Sequence, residues 1–335
     1  MTAHTLPMIR PLSAPLVRLR TDVGPRYFLV DSGCPFTFGR TARRVLAGQE
    51  GLSPTQDVAL LTRPPRLDLT TFERMLGVPV EGFIGTDQLT RWQAIDLDYD
   101  SGRLHLLEGT PEAPTGSVAL SMNTPFHLEA QLDGHARRSV FVDLGSRFNI
   151  ELSATRDRPT YDVEVPSMGG DLTLRISTGH TIAVHGPNGG AHVSHDMTWA
   201  HGAPAPMPML GQAWLVHHQT RFSFAGRTAY VSARTTPVAP WEDLRAQDAY
   251  PDFEVRLEPT DVDLEDRTFR VRARAGRPLG RGLSATAAYR VHGAPIPPGP
   301  EGINALITTL HGAPGKSVTL VGPDGPFEVV RAPLW

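Results

Sequence analysis

Tyr27-Phe28-Leu29-Val30-Asp31-Ser32-Gly33 is a run of apolar, strand-forming residues that stops on a carboxylate, a hydroxyl and a glycine. Apolar β-formers in a row read as a buried strand. A carboxylate at the end of such a strand sits where burial penalises its charge, so it needs a partner. The glycine that follows lets a second stretch of backbone approach closely. Asp-Ser-Gly is also an ordinary turn, and one copy would decide little. The chain holds a second copy. Ser139-Val140-Phe141-Val142-Asp143-Leu144-Gly145-Ser146 repeats the pattern of apolar strand, Asp, one residue, Gly.

Each copy is followed by a matching pair of segments. After Asp31 come Gly82-Phe83-Ile84-Gly85-Thr86-Asp87-Gln88-Leu89 and then Ala94 to Leu106, with Gly102-Arg103 in its turn. After Asp143 come Pro208-Met209-Leu210-Gly211-Gln212-Ala213-Trp214-Leu215 and then Thr220 to Val231, with Gly226-Arg227 in its turn. Both read as two apolar residues, a glycine, a helical turn, a strand, a Gly-Arg turn and a closing strand. Internal repetition of this kind settles the architecture before any finer reading.

On these motifs, residues 15–235 resemble the bacterial retropepsin-like aspartic proteases that carry two lobes in one polypeptide. The match is specific in the first half, through Asp31-Ser32-Gly33, Gly82 to Asp87 and the Asp98 to Leu104 turn, and looser in the second. The resemblance implies a mainly β fold. Two pseudo-symmetric β-barrel lobes, residues 1–108 and 117–235, precede a small α+β domain at 252–335, which resembles a PDZ domain of the protease-associated type. It also implies an Asp31/Asp143 dyad. Ser32, Gly33, Gly145 and Ser146 shape the two loops, and Ile84-Gly85 and Leu210-Gly211 brace them from behind. A polypeptide substrate, a monomer and no cofactor or metal follow from the same resemblance.

The rest of the composition bounds the partners. A formal charge of −3 over 335 residues argues against nucleic acid or an acidic membrane surface. Cys34 is the single cysteine, so no intramolecular disulfide framework exists. No stretch has the length of a bilayer span, and residues 1–15 lack a signal-peptide core, so the sequence as written reads as cytoplasmic. Lys316 is the sole lysine among 32 basic residues, a compositional bias more than a functional one.

Taken in order, Val17–Arg20 alternates as a half-exposed strand and pairs with Tyr27–Val30. Thr41 to Gly48 reads as a short helix capped by Thr41, and Pro64-Pro65 as a break before a strand or flap. Glu108–Gly116 and Thr235–Pro251 read as linkers. Asp133-Gly134 is a hairpin signal. The Gly-, Pro- and His-rich stretch 155–206 holds two strand-like runs, Leu172–Ile176 and Thr181–Val184, and pseudo-symmetry places the second lobe's counterpart of the substrate-covering hairpin within it. Ile303, Leu306, Ile307 and Leu310 fall on one helix face, with Gly312 as the stop. Ser317–Leu320 and Phe327–Val330 pair around Pro323-Asp324-Gly325.

Two carboxyls in hydrogen-bonding contact share one proton, and their ionisations split. The ionised member can accept a proton from water while the other donates to a carbonyl. The second motif departs from the family, because Leu144 lacks the hydroxyl that Ser32 supplies across the loops, and Ser146 is one residue pair away from its place. The competing expectation is a catalytically silent fold that holds a polypeptide. His192-x-x-His195 could ligate a metal and Cys34 could be a nucleophile. A solvated loop and a small buried thiol are the plainer readings of those two.

Overall fold

A computed structural model describes residues 3–331 except 65–66, 110–111, 152–157, 159, 168–169, 188, 202–206, 244–252, 257–267, 274–277, 281, 298–300, 312 and 314. The chain is mainly β, with 46% strand and 9% helix. The mainly β expectation holds.

The apolar run before Asp31 forms a strand, Gly24–Val30, paired antiparallel with Leu16–Thr21. On its other side it runs parallel to Gly82–Ile84, with Val30 opposite Ile84. Phe38–Gly39 pairs antiparallel to that same short strand, Phe38 opposite Phe83. The run before Asp143 repeats each of these relations. Arg138–Val142 lies parallel to Met209–Leu210 with Val142 opposite Leu210, and Ile150 sits antiparallel opposite Met209. Counted from the two aspartates and the two bracing glycines, the registers are the same.

The second of these units closes on itself. His127–Leu132, Arg138–Val142, Met209–Leu210, Asn149–Glu151, Ala191–His201 and Gly170–His185 follow one another by hydrogen bonding, and Ala130 to Val184 joins the last to the first. The result is a six-strand closed barrel, from which Tyr161–Ser167 extends as a seventh strand paired to Gly170–His185. Its first hairpin turns at Asp133-Gly134, both at positive φ (45° and 75°), the conformation that Asp-Gly favours.

A continuous sheet ties the two halves together. Its order is Val118–Ser121, Thr228–Ala233, His218–Ser223, Ala94–Asp98, Arg103–Leu107 and Ala3–Ile9. The central pairing is antiparallel, Thr220 to Leu97 and Phe222 to Ile95. One apolar core, including Phe28, Val30, Ile84, Tyr99, Val142, Leu144, Leu210, Trp214 and Phe222, runs beneath both units. Burial of these side chains, at about 25 cal/mol per Å² of apolar area, is the main stabilising term. A separate core forms at the C-terminal end. There Phe269, Tyr289, Ile303, Leu306, Ile307, Leu310 and Leu320 pack the helix Glu301–Leu310 against the strands Arg290–Val291, Ser317–Gly322 and Gly325–Val330. The expected stop, Gly312, lies outside the described residues.

Four local expectations are corrected. Thr41 to Gly48 is not a helix but carries the short strand Arg44–Val45, paired to Thr21 and to Val58–Ala59. Thr41 does not cap; its hydroxyl donates to the buried Glu81 carboxylate at 2.9 Å, and the Ala42 N–H donates there at 2.7 Å. Downstream of Pro64 the chain forms a helix, Leu69–Leu76, rather than a strand. Asp68 accepts the Thr70 N–H as its N-cap, and Gly77 ends it at φ 70°.

The His-rich stretch is no solvated loop. Within it lie the strands Tyr161–Ser167, Gly170–His185 and Ala191–His201, and His180, His185 and His201 are buried. The linker from Thr235 is no free tether either, because Glu242 is buried and ion-paired to Arg10 and to Arg234 at 2.9 Å. No helix among the described residues is long and apolar enough to cross a membrane.

Candidate active site

The two parallel pairings deliver their strand ends to one place. The Asp31 N–H donates to Ile84 O at 3.0 Å and the Asp143 N–H to Leu210 O at 2.8 Å, so each bracing strand fixes the backbone of its aspartate. Behind them the same bonds recur. Gly85 N donates to Thr37 Oγ1 at 2.9 Å, and Gly211 N to Asn149 Oδ1 at 3.0 Å. Thr86 N donates to Cys34 O at 2.9 Å, and Gln212 N to Ser146 O at 2.8 Å.

Each loop also turns back on its own carboxylate. Asp31 Oδ1 accepts from the N–H groups of Gly33 (2.7 Å) and Cys34 (3.2 Å). Asp143 Oδ1 accepts from Gly145 (2.9 Å) and Ser146 (3.2 Å). The two side chains then hydrogen-bond to one another across the junction. Gly33 and Gly145 are what allow this approach. A Cβ at Gly33 would lie 2.7 Å from Asp143 Oδ2, and one at Gly145 would collide with the Asp31 carboxyl. No side chain fits at either position.

Burial is unequal. Asp31 is 7% exposed, while Asp143 is half-buried. Desolvation, then the neighbouring charge of Asp143, holds the Asp31 carboxyl well above the usual carboxylate range. Desolvation also raises Asp143, against the hydrogen bonds from Asp31 and from the backbone that favour its ionised form. Both shifts favour retention of a proton by the pair above the ordinary carboxylate range. The more buried Asp31 is its better seat.

The cross-loop link is one-sided. Ser32 Oγ donates to Val142 O at 2.7 Å and accepts from Leu144 N at 2.9 Å. Leu144 returns nothing; its side chain is fully buried in the shared core. Ser146 does not take over this part. Its hydroxyl donates to Phe148 O at 2.9 Å, as the Cys34 thiol does to Phe36 O at 3.0 Å. Cys34 is buried and its pKa is pushed up to about 11, chiefly by desolvation. A thiol so protonated is a poor nucleophile at neutral pH.

Two further polar groupings were not anticipated from the sequence. Ser177 Oγ bonds His180 Nε2 at 2.7 Å and His201 Nε2 at 2.8 Å, and His180 Nδ1 bonds Asp133 at 2.5 Å. The order Asp, His, Ser resembles a nucleophilic triad, but Ser177 and His180 are fully buried and no substrate reaches them. The second grouping joins Tyr99, Gln212 and the Leu144 carbonyl. Among the described residues no group of His, Cys, Asp and Glu is arranged to hold a metal ion, His192 and His195 included. No known family model matches the chain, and no curated protein matches it.

Proposed function

We propose that the chain is an aspartic endopeptidase of the two-lobed, single-chain retropepsin-like kind, with Asp31 and Asp143 as its dyad. The observation that carries this reading is the hydrogen bond between two carboxyls, Asp31 buried and Asp143 half-buried, at the ends of matching strand–loop units. On this reading residues 1–108 and 117–235 are the two pseudo-symmetric lobes. The six-strand sheet is their shared floor, and 252–335 is a PDZ-like domain.

The chemistry follows from the proton inventory. The Asp143 carboxylate takes a proton from a water held between the carboxyls, and the water oxygen bonds to the scissile carbonyl carbon. Asp31 donates its proton to the carbonyl oxygen, giving a neutral tetrahedral diol. Return of a proton from Asp143 to the amide nitrogen releases the amine, and re-formation of the C=O bond returns the other proton to the pair. No covalent enzyme intermediate forms. Gly33, Gly145 and the backbone donors on each carboxylate keep the two groups apart in role yet within reach. The substrate is an extended polypeptide, a preference that comes with the family resemblance.

One observation favours a second reading. Leu144 removes half of the cross-loop bonding, as expected of a dyad released from catalytic duty and kept in a fold that only holds polypeptides. Digestion of unfolded casein across pH 3 to 8, with and without a statine-type inhibitor and beside Asp31→Asn, separates the two. Inhibitor-sensitive cleavage abolished by the substitution supports the protease. Cleavage that survives it removes the dyad assignment. Peptide binding with no cleavage at any pH supports the silent fold.

A further inference from the structure

Leu144 leaves the second loop without its own hydroxyl bridge, yet that loop is not left unsupported. Gln212 Nε2 donates to Leu144 O at 2.6 Å, and Tyr99 Oη donates to Gln212 Oε1 at 2.6 Å. All three groups are buried: Tyr99 and Leu144 are 0% exposed and Gln212 is 2% exposed. Tyr99 belongs to the first half of the chain and Gln212 to the second, so the bridge crosses the junction from the same half as the Ser32 bonds do. The Arg10 guanidinium sits over the Tyr99 ring, 5.4 Å from its centre.

The peptide unit that Gln212 grips is the one whose other end meets the dyad. The Leu144 carbonyl and the Gly145 N–H belong to a single planar, trans amide, so fixing the oxygen fixes the direction of the N–H. That N–H is the 2.9 Å donor on Asp143 Oδ1. At the matching place in the first loop stands Thr86, which is too short for this task. Its hydroxyl reaches only the Cys34 and Pro35 carbonyls, at 3.4 Å each. The first loop carries the hydroxyl and the second carries the amide.

We infer that Gln212, clamped by Tyr99, is the positioning residue of the second loop: it replaces the missing hydroxyl by locking the Leu144–Gly145 peptide onto Asp143. This rests on the reading of Asp31 and Asp143 as a working dyad. With the clamp cut, Asp143 keeps its place on the strand but loses a directed donor, so its ionised form is less favoured and the shared proton is less firmly seated on Asp31.

The test compares Tyr99→Phe, Gln212→Met and Gln212→Glu with the wild-type chain. Loss of one buried, directed bond lowers kcat by about 10- to 100-fold in the first two, with KM nearly constant. The double change Tyr99→Phe/Gln212→Met adds little beyond the single ones, because they cut one bridge. Gln212→Glu is the discriminating case. A protonated Glu accepts from Tyr99 and donates to Leu144 O, but an ionised one has nothing to donate. Its activity stays near wild type at acid pH and falls away at lower pH than the wild-type alkaline limb. A residue that only packs would lower activity equally at every pH.

A second measurement needs no substrate. Carboxyl ¹³C titration of the dyad reports both ionisation steps, and in Gln212→Met and Tyr99→Phe the Asp143 step moves upward. Wild-type-like titration and kcat in both variants overturn the clamp. A wild-type chain that cleaves nothing overturns the protease reading instead, and the titration still decides the clamp.

Discussion

The Asp31 and Asp143 loops share a backbone course and differ in how each is held against the other. The first loop sends a hydroxyl, from Ser32, into the second and satisfies both Val142 O and Leu144 N. The second returns an apolar side chain to the common core and takes its support from an amide 68 residues further along the chain, Gln212, through a phenol of the opposite half. Matching places thus keep the same geometry by different chemistry. Cys34 and Ser146 both donate to the carbonyl two residues on, and Thr37 and Asn149 both accept from the bracing glycine. Where a duplicated unit needs a bond, the donor type is negotiable. Where it needs empty space, as at Gly33 and Gly145, nothing but glycine serves.

The comparison breaks most sharply at the carboxyls themselves. Asp31→Asn or Asp143→Asn lowers peptide cleavage by about 10²–10⁴-fold, read by initial rates on a fluorogenic peptide. The same substitutions change stability in the opposite direction. Both carboxyls hold their protons more tightly in the folded chain than in the unfolded one, so the native state loses stability as pH rises from the ordinary carboxyl range through the raised values. Removing either ionisation raises the melting temperature at pH 7 and leaves it little changed near pH 3. The gain is larger at Asp31, the more deeply buried of the two. Equal melting temperatures at pH 7 for wild type and both variants would dissolve this asymmetry.

A methyl group at either loop glycine comes next. Gly33→Ala and Gly145→Ala drive a Cβ into the opposite carboxyl and cost about 1–3 kcal/mol of overpacking each, measured by urea denaturation, with cleavage lost in both. Ser32→Ala orphans Val142 O and Leu144 N at a cost of about 1–3 kcal/mol for each group left unpaired. Ser146→Ala removes one local bond and costs only about 1 kcal/mol, so the ratio between these two measures how unlike the loops are. Smallest of all is the exchange of the turn donors. Cys34→Ser and Ser146→Cys each stay within about 1 kcal/mol of wild type, since both keep the bond to the carbonyl. Wild-type Cys34, buried and held at about 11, resists alkylation at pH 7.5 until the chain unfolds.

Much of the frame was legible because it is written in periodicity and punctuation. Val17–Arg20 alternates and became a strand paired to Tyr27–Val30. Asp133-Gly134 became a hairpin, and Ile303 to Leu310 became one buried helix face. The misreadings share a physical cause. Thr41 to Gly48 has helix punctuation, but Glu81, distant in sequence, takes the Thr41 hydroxyl, and Val45 finds strand partners on both sides. Leu69 to Leu76 carried a legible cap in Asp68 and stop in Gly77, overshadowed by the prolines before it. Histidines in Gly-rich sequence looked solvated, yet His180 and His201 are drawn inside by a serine that bonds both.

By itself the sequence determined that a strand–Asp–x–Gly unit occurs twice, each with its bracing apolar-Gly strand, because strand formation and glycine clearance are local properties of the chain. Only the tertiary structure decided that the two carboxyls meet, that Asp31 is the deeper one, and that Gln212 and Tyr99 bridge to the Leu144 carbonyl. Those depend on groups more than a hundred residues apart meeting in a water-poor interior, where a hydrogen bond counts for more and an unpaired charge costs more than either does along the chain.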